Sequence, residues 1–297
     1  MSFCSDVKNE LSLIKTQKCC MPALTYGFML FSRYFSYKKI GMQTANPNMA
    51  YLYSELIHKV YGIDIEVASG GQKVATYRVD VPDDTDRLKI LASVDFDDGT
   101  KVIDYSLLDK NCCRAAFIRG VFFACGNISD PNREYRAEFL VKNKDLADHL
   151  YEMLIGFGVK VMRSKRGSAE VIYIKNSEVI EDLLTLMGAS HKSLDLMDTK
   201  IIKSVKNNIN RVRNCEDANI TKTVDASIKQ RTAIEYLEST GKLYALPQEL
   251  ITVAKLRMDN PEATLKELCK LSTESISLSG LNHRLKKLIE IYNDITR

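Results

Sequence analysis

The sequence predicts an α+β fold, two pseudo-symmetric αββαββα repeats followed by an all-α helix-turn-helix domain. Three observations predict it. A segment near the N-terminus recurs about 93 residues later, each copy opens with an apolar helix that carries a mid-helix glycine, and the excess of positive charge is confined to the C-terminal third. The expected organisation is a first repeat over 1–98, a second over 99–195, a basic linker helix over 196–231 and the helix-turn-helix domain over 232–297.

The composition supports a globular protein of more than one domain. The chain has 297 residues, 45% of them hydrophobic and 27% charged, which excludes a disordered or fibrous protein. Net charge is +4; basic and acidic residues balance up to Met197, and 17 basic residues face 13 acidic ones beyond it. A footprint for a polyanion therefore belongs near the C-terminus. No stretch approaches the ~20 uncharged apolar residues of a membrane span, so no membrane partner is expected. Met21 to Phe31 imitates the core of a signal peptide, but no small-residue cleavage site follows, and a similar run returns at 115–125. Both read as domain core, and the eight cysteines then point to a reducing cytoplasm.

The repeat is read by sliding the chain on itself. At an offset of 93, Cys19, Cys20, Ala23, Gly27 and Ser36 fall on Cys112, Cys113, Ala116, Gly120 and Ser129. At an offset of 96, Gly62 falls on Gly158, Gly71 on Gly167 and Tyr77 on Tyr173. Local patterns agree between the copies. Helices are expected at about 19–32 and 112–125. An extended stretch follows each, and in the second copy Ser129-Asp130-Pro131-Asn132 turns into the alternating run Tyr135 to Val141. A second helix starts at Asn46-Pro47 in the first copy and carries Leu146, Leu150, Met153 and Phe157 in the second; Gly62 and Gly158 end these helices at C′. Strands are expected at Ile63 to Val67 and Val159 to Val161, then at Lys73 to Val81 and Ala169 to Lys175, with a closing helix after each. Glycine inside a helix costs ~1 kcal/mol relative to alanine. Gly27 and Gly120 therefore call for close approach of two backbones, with the paired helices on a pseudo-twofold axis and each four-stranded sheet forming half of a saddle.

This arrangement resembles the LAGLIDADG homing endonucleases, whose saddle-shaped sheets straddle DNA and whose motif helices each end in a metal-holding acidic residue. Laid on this chain, the motif covers Thr25 to Arg33 and Ile118 to Gly126, and its acidic positions are Ser32 and Cys125. A hydroxyl and a thiol supply no carboxylate charge for Mg²⁺, so catalytic residues, metal and cofactor are all expected to be absent. Asp130 lies five residues past the motif position, but the matching residue of the first copy is Tyr37. MSFCSDVKNEL at the start, the CC-x-x-A and CC-x-A-A helices, RNCEDANITKT (213–223) and SGLNHRLKKL (279–288) together resemble the WhiA family from end to end. That resemblance implies a bacterial DNA-binding transcription regulator of sporulation, cell division and chromosome segregation, cytoplasmic and nucleoid-associated, with a nuclease-like scaffold that has lost catalysis. A protein partner on that scaffold is a further expectation.

The C-terminal third, read from its residues, reaches a DNA-binding scaffold. From Asp198 to Arg231 eight basic residues stand against four acidic ones; Lys203, Arg211 and Arg213 are candidates for phosphate, with a solvated helical face as the alternative. Helices are expected at Ala233 to Leu237 and Pro247 to Met258. Thr264-x-x-Glu267 is a capping box for a short helix with Leu265, Leu268 and Leu271 on its apolar side. Ser272 to Ser277 turns the chain, and Ser279 is expected to cap a last helix towards Asp294. Leu281, Leu285, Leu288 and Tyr292 make one buried stripe there, leaving Asn282, His283, Lys286 and Lys287 outward with Arg284 at the flank. Two helices and a turn in this form suit the major groove of double-stranded DNA, with Thr264, Lys266, Ser277, Ser279 and Gly280 at the docking edge. The alternative from residues alone is a small bundle with a charged surface. Two other functions compete, an interaction scaffold for division with weak DNA binding and a site-specific endonuclease.

Other motifs point elsewhere or nowhere. His58, His149, His191 and His283 are dispersed, and no C-x-x-C provides the spacing of a structural zinc site. The two CC pairs read as buried helix residues rather than redox centres. Gly156-x-Gly158 ends a helix instead of leaving a strand, so it is no dinucleotide fingerprint.

Overall fold

The computed structural model of the chain describes residues 2–70, 75–97 and 101–296. Gly71, the expected strand start at Lys73 and the boundary between residues 98 and 99 lie outside them. Two compact units emerge, Met1–Lys203 and Ser204–Arg297.

The first unit opens with α1 (Phe3–Ser12), capped by the Ser2 hydroxyl, and then runs through the repeat twice. In the first copy α2 (Met21–Leu30), β1 (Tyr34–Phe35), β2 (Ile40–Thr44), α3 (Pro47–Tyr61), β3 (Ala68–Gly70), β4 (Thr76–Asp80) and α4 (Asp84–Ala92) follow in order. The second copy repeats them as α5 (Asn111–Cys125), β5 (Gly126–Ile128), β6 (Ala137–Val141), α6 (Lys144–Gly156), β7 (Met162–Arg166), β8 (Ala169–Ile174) and α7 (Ser177–Met187). Strand order is β1-β2-β4-β3 in one antiparallel sheet and β5-β6-β8-β7 in the other, so the repeat holds at the level of topology.

The core is built on α2 against α5. A Cβ on Gly27 would lie 2.4 Å from the Phe117 carbonyl oxygen, and one on Gly120 would lie 2.2 Å from that of Leu24. Neither position has room for a methyl group, which accounts for a glycine in two otherwise favourable helices. Around this contact Phe117 meets Tyr26 and Phe31, and Phe28 meets Phe123, all in edge-on or tilted pairs.

Local signals mostly fall where the sequence puts them. Asn46 accepts from the Asn48 amide and Pro47 opens α3, while Gly62 closes it in the left-handed region at φ 71°. Gly158 likewise adopts a left-handed conformation, at φ 78°, immediately after the α6 cap at Phe157. The strands expected at Ile63 to Val67 and Val159 to Val161 are displaced: pairing begins at Ala68 and Met162 instead. The alternation of Ile63, Ile65 and Val159 reports burial of an extended segment, not a ladder. The Ile65 carbonyl, for example, accepts the Ser54 hydroxyl of α3 at 2.6 Å.

The expected linker helix and the separate helix at Ala233 to Leu237 are one continuous helix, α8 (Ser190–Ser239). No glycine or proline lies within its 50 residues to stop it. The Glu10 carboxylate accepts its first amides, from His191 and Lys192 at 2.8 and 2.9 Å. In the second unit Ala233, Ile234 and Leu237 of α8 are buried together with α9 (Gln248–Asp259), α10 (Leu265–Leu271) and α11 (Leu278–Thr296). Thr264 and Glu267 form the expected capping box at α10. The last helix starts earlier than expected, because Ser277 and not Ser279 caps it. Its hydroxyl accepts the Gly280 amide at 3.1 Å, the N3 contact a cap requires. No helix among the described residues is long and apolar enough to cross a membrane.

Candidate nucleic-acid interface

In the second unit α11 is amphipathic in the manner its spacing dictates. Leu281, Leu285 and Leu288 are fully buried, Tyr292 is half-buried in edge-on contact with Tyr236, and His283, Lys286 and Lys287 are exposed on the other side. Asn282 is half-buried. Lys287 contacts Glu290 at 3.3 Å, a pair exposed on both sides that a phosphate can displace. The turn before α11 presents Ser277, hydrogen-bonded to Ser279 at 3.1 Å, and Gly280 sits over the Ser277 hydroxyl.

Arg284 is half-buried at the flank of the leucine stripe, where its spacing puts it. Its guanidinium lies 3.0 Å from Glu249 of α9 and 3.1 Å from Glu274 in the turn, so its donors are committed within the unit. Arg257, which the sequence gives no reason to single out, is buried in α9 and donates to the carbonyls of Asn260 and Ala263 at 3.3 and 2.7 Å. It holds the loop that presents Thr264. Thr264 itself spends its hydroxyl on Glu267 of the capping box, and Lys266 projects into solvent beside it. Thr264, Lys266 and Leu278 share a groove of about 420 Å³ with Asn219, Lys222 and Thr223 of α8.

The cations of α8 divide into tied and open ones. Lys200 pairs with Glu178 and Glu181, Arg231 with Glu235, and Lys203 donates to the Pro131 carbonyl at 2.7 Å with its ammonium 4.9 Å above the Tyr135 ring. Arg211 and Arg213, together with Lys206, Lys222 and Lys229, are exposed and have no ion-pair partner among the described residues. The same helix exposes Ile202, Val205, Ile209 and Val212, a row the charge pattern had hidden.

In the first unit the ends of the motif helices have no carboxylate. Ser32 donates back to the Phe28 carbonyl at 2.6 Å and Cys125 to that of Val121 at 3.4 Å. Burial pushes the Cys125 thiol up to about 12. Lys8 lies alongside, donating to the Phe123 carbonyl at 3.1 Å, and burial holds its amine below the usual lysine range. A groove of about 650 Å³ opens from Ser32 and Cys125 over the sheets, lined by Arg33, Lys101, Lys142 and Arg166. Glu138 is the one carboxylate lining it among the described residues. Burial opposes its charge, but Arg166 and Arg136, at 3.0 and 2.9 Å, hold its carboxyl below the usual range. A groove with this lining can accept phosphates and offers no set of hard oxygens for Mg²⁺. The four histidines remain apart; His149 accepts the Ile103 amide at 3.1 Å and His58 pairs with Asp64.

The comparisons with known proteins agree along the whole chain. The family described as the WhiA LAGLIDADG-like domain matches residues 114–206, and the WhiA C-terminal HTH domain matches residues 209–292. Curated relatives named probable cell division protein WhiA include those of Alkaliphilus metalliredigens, 35% identical over 98% of this chain and 97% of the relative, and of Ruminiclostridium cellulolyticum, 35% identical over 100% and 99%. The crystal structure of full-length WhiA from Thermotoga maritima has the same fold, with a TM-score of 0.61 at 20% identity over 99% of both chains.

Proposed function

The chain belongs to the WhiA family, whose curated members are named for cell division, and on that premise we propose that it is a transcription regulator of division, chromosome segregation and sporulation that acts on double-stranded DNA. One observation carries the reading. The second unit buries the leucine stripe of α11 and leaves His283, Lys286 and Lys287 in solvent next to a capped helix and a serine-rich turn. In this reading α11 enters the major groove, Asn282 and His283 reach base edges, and Lys266, Lys286 and Lys287 meet phosphates with Ser277, Ser279 and Gly280 at the backbone. Arg211 and Arg213 extend the footprint along α8. Arg284 and Thr264 support the reading helix from within the fold, and Lys203 stays with the first unit. The protein works at the nucleoid in the cytoplasm, and the four segments 1–98, 99–195, 196–231 and 232–297 divide the labour between scaffold, basic helix and reader.

The scaffold in this proposal performs no phosphodiester hydrolysis. Two-metal cleavage needs carboxylates at the ends of α2 and α5, where Ser32, Cys125 and the half-buried Lys8 stand. Plasmid incubated with Mg²⁺ or Mn²⁺ should remain supercoiled; metal-dependent nicking would restore the endonuclease reading. Chromatin immunoprecipitation with sequencing in the native host tests the regulatory role. Reproducible promoter peaks are expected, and their absence would favour the second reading, a division scaffold with weak DNA affinity. The exposed row Ile202, Val205, Ile209 and Val212 favours that alternative by offering a protein partner an apolar face.

A further inference from the structure

The fold joins four cysteines that the chain keeps apart. Cys19 and Cys20 lead into α2, and Cys112 and Cys113 stand in the first turn of α5. Because Gly27 and Gly120 bring these helices together, their N-terminal ends meet, and the Cys113 thiol donates to the Cys19 carbonyl at 3.3 Å. The four sulfurs all lie within 4.8 Å of one another, and those of Cys19 and Cys20 are 3.7 Å apart. A tetrahedral tetrathiolate with metal–sulfur bonds of ~2.3 Å has sulfur–sulfur edges of roughly 3.8 Å. One edge therefore already has that length, and the remainder need to close by about 1 Å or less, within reach of side-chain rotation.

Charge around the cluster favours thiolates. Neither α2 nor α5 has a side chain capping its N-terminus, so the positive ends of both helices are left without a side-chain partner beside the sulfurs. Arg119, further along α5, has its Nε and one terminal nitrogen buried without a hydrogen-bond partner. Burial draws its guanidinium below the usual range, and negative charge on Cys20 raises it again.

We propose that Cys19, Cys20, Cys112 and Cys113 form a tetrathiolate zinc site that clips the two repeats together at the N-terminal ends of their paired helices. The site is at the opposite end of those helices from Ser32 and Cys125 and owes nothing to nuclease chemistry. Binding is a ligand exchange without redox change: four S–H bonds give way to four Zn–S bonds, and four protons pass to solvent. The product carries two negative charges, which the two helix ends and Arg119 offset. Two buried and two exposed sulfurs make a closed site with a solvent-side entry. Thiolate ligands select a soft cation over Mg²⁺ or Ca²⁺.

Cobalt(II) tests the proposal on the full-length chain, purified reduced and stripped of metal. Titration should give the intense visible bands of tetrahedral sulfur-coordinated cobalt, saturating at one ion per chain and bleached by zinc. In the double variant Cys19→Ser with Cys112→Ser, both at exposed positions, the bands should vanish while the circular dichroism spectrum is unchanged; Cys215→Ser should leave them intact. A pale octahedral spectrum in the parent, or bands that survive in the double variant, would overturn the site. So would a reduced, zinc-exposed protein in which all eight thiols still react freely. A chain that takes no metal but forms a disulfide among these four on exposure to air assigns the cluster to thiol redox chemistry instead.

Discussion

The carbonyl oxygen of Leu24 lies 2.2 Å from where a Cβ on Gly120 would stand, and that of Phe117 holds the equivalent place opposite Gly27. Both clashes are with helix backbone, which cannot rotate aside. Gly120→Ala and Gly27→Ala should each destabilise the first unit by about 3 kcal/mol, although alanine in a free helix would gain ~1 kcal/mol. Urea unfolding measures this, and a stabilised alanine variant would refute the close approach.

Lys286→Ala combined with Lys287→Ala should weaken duplex binding and flatten its dependence on salt. Removing one lysine–phosphate interaction reduces the logarithmic slope by about 0.9, so the double variant should be shallower by roughly 2. Fluorescence anisotropy over a range of salt concentrations reads both effects; an unchanged affinity and slope would remove α11 from the interface.

Arg284→Ala should behave differently. Its contacts are with Glu249 and Glu274, so the expected result is a loss of about 1 kcal/mol in stability with the salt slope preserved. A drop in slope without a change in stability would make Arg284 a direct DNA contact.

Thr264→Ala removes the α10 cap and should cost the second unit about 1 kcal/mol. Thermal unfolding followed by circular dichroism is sufficient to see it, and a neutral substitution would show that the capping box contributes nothing in this setting.

Glu138 gives the first unit an acid-sensitive link. Although burial works against its charge, Arg166 and Arg136 hold its carboxyl low, so its contribution is complete above the unfolded value of about 4.3 and fades as pH falls through the lower folded value. Urea midpoints between about pH 3 and pH 7 should fall more steeply for the parent than for Glu138→Gln. Parallel profiles would exclude the link.

Much of this architecture is legible in the residues, because it rests on local rules. The proline and asparagine at the start of α3 and the glycine at its end, the Thr264–Glu267 box and the leucine stripe of α11 each act within a turn or two of chain. Elements that depend on a distant partner are less legible. Ile63 to Val67 alternates like a strand, yet β3 begins at Ala68 because β4 determines where pairing starts. Arg284 has the position of a groove-reading arginine, and two glutamates from other elements hold it.

The cysteines show the same division most sharply. A search along the chain for metal-ligand spacing finds only adjacent pairs, and burial habit places all four in the core. In the fold Cys19 and Cys112 are exposed, Cys20 and Cys113 are buried, and all four sulfurs converge. The sequence by itself determined the duplicated scaffold, the lost carboxylates at Ser32 and Cys125, and an amphipathic last helix, since periodicity, glycine and side-chain chemistry are properties of the chain. Only the tertiary structure decided which cations remain open and which thiols meet, because contact distance between remote segments is fixed by how helices and sheets pack, not by their separation in sequence.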